Sequence, residues 1–167
     1  MGVGKVFAII GGILGVLSIV LFYVSPEWFC LWRYMDVTDM PIYIGGFGTE
    51  VEILFGDSYS RFTNDIALLA VGVFLVAGGV VAIVGALVKF KGLCTIGGAL
   101  MFLGPVLFSI ELMVRSNYFS FWEPAEYKNL FWGTLPWLNG AEYWNIGISF
   151  FMGAGGGILG IISGATL

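Results

Sequence analysis

Four long apolar runs constrain this chain more than any other feature. They cover residues 6–24, 66–88, 93–114 and 143–167, and none carries a charge in its central two turns. Crossing a hydrocarbon core about 30 Å thick takes roughly 20 helical residues. Lipid offers the backbone no hydrogen-bond partners, so such runs cross as helices rather than as open strands. Only 11% of the residues are charged, against about 25% in a soluble domain. The expectation is an all-α membrane fold: one domain of four transmembrane helices, with residues 25–65 and 115–142 as long loops and membrane lipid as the surroundings. The first run follows Lys5 in the manner of a signal peptide. It is 19 residues long, however, and no small-x-small site precedes Ser25, so it reads as a retained span.

Charge placement sets an orientation. Lys5, Lys89 and Lys91 flank the short segments on one side, and all eleven acids fall on the other, together with Arg33, Arg61, Arg115 and Lys128. Basic residues beside short loops favour the cytoplasm, which puts both termini inside and both long loops outside the cell membrane. All six Trp and all seven Tyr fall in the outer loops or at the outer helix ends. Anchoring alone would spread them over both interfaces.

The four-residue connection 89–92 forces the second and third spans into an antiparallel hairpin. In the first outer loop, residues 41–44 and 49–55 are β-prone and flank Gly45-Gly46-Phe47-Gly48. Val51, Ile53 and Phe55 alternate with Glu50 and Glu52, as in a half-buried strand. A small β-hairpin is expected there, ending at Gly56-Asp57, with its edge near residues 51–55 open to strand addition. The second loop is dense in aromatics, among them Trp122, Phe131, Trp132 and Trp137. Asn139 with Glu142 reads as a helix cap that starts the fourth span near Tyr143.

Small residues recur at helical spacing: Gly11 and Gly15 in the first span, Gly78 in the second, Gly156, Gly160 and Gly164 in the fourth. Such stripes let helix backbones approach closely, either within the bundle or between copies of the chain.

Chemistry is sparse. There is no His, and the two cysteines, Cys30 and Cys94, fall on opposite sides of the bilayer. No nucleophile motif, phosphate loop or calcium loop occurs, so no enzyme, catalytic residue, cofactor or metal is expected. Seven basic residues against eleven acidic ones leave no patch for nucleic acid. Glu111 stands one helical turn before Arg115. The pair is either a structural ion pair near the outer interface or, helped by a kink at Pro105, part of a transport site.

Trp28 is followed by Cys30-Leu31-Trp32 in a long first loop that carries strands. With four spans and both ends inside, this resembles the claudin-type tetraspan layout, in which a Trp precedes Gly-Leu-Trp and two loop cysteines. Here Cys30 replaces the glycine, and the paired loop cysteines are absent. The resemblance implies a scaffold that assembles side by side through its outer loops. The residues themselves lead to the same expectation, a structural or assembly protein. Trp122, Phe131, Trp132, Trp137, Val51, Ile53 and Phe55 would meet a second copy or a different subunit of a larger membrane complex. The alternative is a small channel or transporter, or an accessory subunit of one, that uses Glu111.

Overall fold

The computed structural model describes residues 2–35, 41–54, 57–62, 66–118, 132–137 and 140–167. The apolar runs form α1 (Val3–Val20), α2 (Ile66–Leu87), α3 (Lys91–Tyr118) and α4 (Ile148–Thr166). A 3-10 turn, Leu21–Tyr23, prolongs α1. All four helices are long and apolar enough to cross a membrane. Between α2 and α3 the chain reverses through Lys89, which takes a left-handed conformation with φ 57°. The Phe90 N–H donates to the Gly85 carbonyl at 2.9 Å, which closes the helix end in a Schellman turn.

The helices pack in a ring, α1 to α2 to α3 to α4 and back to α1. Each contributes a Gly-Gly pair: 11–12, 78–79, 97–98 and 156–157. Successive helical residues point about 100° apart, close to the right angle between the two neighbours of a helix in a square bundle. One glycine of each pair therefore faces each flanking helix. A Cβ on Gly11 would lie 2.6 Å from the Gly156 carbonyl oxygen, and one on Gly156 would lie 2.6 Å from that of Gly11. Gly12 and Gly79 are related in the same way, at 2.6 Å in both directions. The remaining seams are Gly78 with Gly97 at 2.6–2.7 Å and Gly98 with Gly157 at 2.7–2.9 Å. Met101 of α3, fully buried, reaches Gly15 of α1, Gly78 of α2 and Gly160 of α4. At the end that holds both termini, Ala8, Ala86 and Cys94 pack together, with Ile9 and Leu167 against them.

The opposite end carries more strand than expected. The proposed pair is present as β2 (Pro41–Ile44) and β3 (Thr49–Leu54), joined by a four-residue loop. Around it lie β1 (Trp32–Met35), β4 (Asp57–Phe62), β5 (Trp132–Trp137) and β6 (Gly140–Ile146). They form one antiparallel sheet in the order β4-β3-β2-β1-β6-β5. The four-helix part of the expectation stands, and the lone hairpin is corrected to a larger sheet. A two-stranded hairpin is marginal in water, and additional strands supply the missing pairing.

The start of the fourth span is corrected as well. Tyr143 lies in β6, which pairs with β1 on one side and β5 on the other, and α4 starts after its N-cap residue Gly147. Ladder pairing, on both sides at residues 143–145, holds residues 140–146 as a strand, against the helix-cap pattern of Asn139 and Glu142. Asn139 itself lies outside the described residues.

Candidate docking surface

Three contacts seat the sheet on the bundle. Leu31 and Ile44 are buried against Ile19, Leu68, Val71, Leu75, Phe108 and Leu112, with Trp32, Phe47 and Phe150 around them. Phe22, Cys30, Tyr43 and Val51 form a second cluster. The loop between β2 and β3 dips onto α2, where Phe47 adopts a left-handed φ of 59° and covers Gly72. A Cβ on Gly72 would lie 2.6 Å from the Phe47 nitrogen.

Hydrogen bonds tie the first loop to the start of α4. The Gly147 N–H donates to the Leu31 carbonyl at 2.9 Å and the Ser149 N–H to the Cys30 carbonyl at 3.2 Å. The Ser149 hydroxyl donates to the Phe29 carbonyl at 2.6 Å. The Cys30 thiol lies in this junction, and a Cβ on Gly147 would approach its sulfur to 2.6 Å. Burial pushes the thiol up from 9.0 to about 11, outweighing a backbone hydrogen bond and the charge of Arg33, which both lower it. Among the described residues no group of three or more His, Cys, Asp or Glu is placed to hold a metal ion.

Both long loops enter one continuous sheet. A single ladder row runs across all six strands: Trp132, Asn145, Arg33, Tyr43, Val51 and Ser60. Within it the Arg33 Nε donates to the Asn145 Oδ1 at 2.7 Å, linking the two loops. The neighbouring row places Trp144 opposite Tyr34, and Tyr34 stacks on Trp32 with ring centroids 6.0 Å apart.

This arrangement relocates the expected contact residues. β3 is paired on both sides at residues 50–52, so that stretch is not open to strand addition, while residues 53 and 54 pair with β4 alone among the described residues. Val51 is buried against Phe22 and Tyr43, and Ile53 is opposite Ser58 of β4. The outer strands are β4 and β5, and among the described residues nothing pairs with their free edges. Trp132 and Trp137 begin and end β5, opposite Asn145 and Gly140. Phe55, Trp122 and Phe131 lie outside the described residues. Trp28, in the turn after α1, is two-thirds exposed.

Two features differ from what the sequence predicts. β4 follows β3 after only two residues, with Leu54 opposite Asp57, so Asp57 begins a further strand where the sequence predicts the end of one. Gly140 opens β6 opposite Trp137, where the spacing of Asn139 and Glu142 predicts a helix cap. Glu111 is half-buried in α3, and its expected pairing with Arg115 rests on a side chain outside those described. Gly11, Gly15, Gly78, Gly156, Gly160 and Gly164 all face neighbouring helices of the same chain, Gly164 meeting Thr95 and the Lys91 carbonyl.

No family model matches the chain, and no curated protein matches it in sequence. Neither comparison supports the likeness to claudins; what the structure shows is four helices long and apolar enough to cross a membrane.

Proposed function

We propose that the protein is a multi-pass cell-membrane assembly protein, with both termini in the cytoplasm, that joins copies of itself or a partner subunit through its extracellular sheet. The observation that carries this reading is the strand order, which fuses both loops into one layer and leaves β4 and β5 as its margins. Unpaired strand edges are templates for pairing with another chain. The two margins differ in kind. β5 contains Pro136, which lacks an N–H and blunts that edge, and it is bounded by Trp132 and Trp137. Tryptophan is enriched among the residues that dominate interface energy. β4 has no proline and reads Asp57-Ser58-Tyr59-Ser60-Arg61-Phe62. In this reading β4 accepts a strand and β5 contributes aromatic contacts. A claudin-type scaffold would use its outer layer in the same sense.

Proline substitution tests it. Consecutive residues of an antiparallel strand turn their N–H groups to opposite sides. Of Tyr59→Pro and Ser60→Pro, one therefore removes an N–H from the open edge and leaves the β3–β4 ladder intact. The expected result is an assembly in mild detergent that this variant reduces to the monomer mass. A parent protein that is a clean monomer and captures nothing from native membrane extracts would refute the reading.

A further inference from the structure

The end of the bundle opposite the sheet carries the other distinctive surface. Lys5 enters it on the first turn of α1, and Lys89 and Lys91 flank Phe90 in the turn between α2 and α3. The packing of Ala8, Ala86, Cys94 and Leu167 brings these segments to one level. Every Asp and Glu of the described residues belongs to the sheet, to the turn after α1 or to the far half of α3. This end therefore holds three cations with no side-chain anion among the described residues to neutralise them.

Its apolar groups are equally exposed. Leu87, Val88 and Phe90 are each more than half exposed, and the Phe90 ring lies over Gly92, where a Cβ would meet its Cε1 at 3.2 Å. The left-handed backbone at Lys89 sets one exposed lysine at the apex of the turn, between two exposed apolar groups. A soluble anion would find the charges but would have no use for the apolar neighbours. A phospholipid meets both, its phosphate at the lysines and its acyl chains along Leu87, Val88 and Phe90.

We propose that the turn around Lys89 and Lys91, with Lys5 beside it, is a contact site for anionic phospholipid headgroups. A basic residue close to an anionic bilayer strengthens attraction about fivefold, so two lysines give about 25-fold. This inference does not depend on what the sheet binds.

The test is native mass spectrometry of the purified full chain, equilibrated with an equimolar mixture of phosphatidylglycerol and phosphatidylcholine. The expected result is retention of phosphatidylglycerol in preference. The double variant Lys89→Gln, Lys91→Gln lowers that preference about 25-fold, and Lys89→Arg, Lys91→Arg keeps it because the charge remains. Equal retention of the two lipids by the parent protein overturns the proposal without any variant. So does an undiminished preference in the glutamine variant. Displacement of the lipid by millimolar inorganic phosphate also overturns it, assigning the lysines to a soluble anion.

Discussion

The middle of the bundle and the junction beneath the sheet are held together by opposite kinds of residue. In the middle, glycines meet glycines and backbones lie almost in contact. At the junction, Leu31, Ile44, Phe22 and Phe108 fill the space with large side chains. The difference follows from the solvent. Within lipid there is no hydrophobic gain in moving a Leu from acyl chains to another helix, so association relies on close approach and dispersion. Near water, burying a Leu or Phe is worth about 1.5–3 kcal/mol, and large groups become the better adhesive.

The sharpest way to break this contrast is to put a large residue into the glycine layer. Gly12→Leu would drive a side chain into the Gly79 carbonyl and Ile83, and Gly98→Leu into the backbone of residues 157–161. Backbone cannot move aside as a flexible side chain can. Each variant is expected to lose about 3 kcal/mol or more, enough to abolish a monodisperse folded species in size-exclusion chromatography. The same change at Gly155, where an added Cβ meets nothing within 4 Å, leaves the elution unchanged.

The reverse operation applies at the junction. Leu31→Ala removes a fully buried side chain and is expected to cost about 3 kcal/mol, read from chemical unfolding in detergent. Ile10→Ala, on the exposed face of α1, removes a group of similar size and is expected to cost well under 1 kcal/mol beyond helix propensity. If the two costs were equal, burial between sheet and bundle would not be what seats the sheet.

Gly147 and Cys30 probe the same junction from its polar side. Gly147→Ala would press a methyl group onto the Cys30 carbonyl and sulfur, at an expected cost of about 1–3 kcal/mol. The thiol also makes stability depend on pH. Its folded pKa of about 11 lies above the ordinary 9.0, so the folded chain holds this proton more tightly than the unfolded one. The contribution is complete below pH 9 and is lost as the pH rises toward 11. Unfolding measured across that window should slope downward in the parent chain and flatten in Cys30→Ala.

The helices were legible because length and apolarity suffice to identify a span. The glycine ring was only half legible. A stripe at every fourth residue shows that a face is flat, whereas the Gly-Gly pair in each helix shows that two faces are in use. That second signal stood in the sequence at residues 11–12, 78–79, 97–98 and 156–157. The sheet was harder to read for a physical reason. β1 is four residues long, and it is stabilised by β6, more than 100 residues away in the chain. Local alternation detects β3, but no local pattern reveals which strand lies beside it. Glu142 shows the conflict directly, since its spacing from Asn139 suits the first turn of a helix and yet it lies in β6 opposite Leu135.

The smallest expected effect separates being small from being polar in the glycine-lined bundle. Among the described residues buried Ser18 donates its hydroxyl to the Gly15 carbonyl at 2.6 Å, and partly buried Ser109 donates to the Pro105 carbonyl at 2.9 Å. Ser163 of α4 is fully buried, and among the described residues its hydroxyl has no hydrogen-bond partner. If serine serves here only because it is small, Ser163→Ala keeps the packing and removes an orphaned polar group, raising stability by up to about 1 kcal/mol. Ser18→Ala loses a made hydrogen bond and lowers stability by about 0.5–1 kcal/mol. Opposite signs from the same substitution, measured side by side by thermal unfolding, would show that close approach rather than polarity holds these helices together. A loss at Ser163 as large as that at Ser18 would instead assign its hydroxyl a bonding role and weaken the contrast between the two regions.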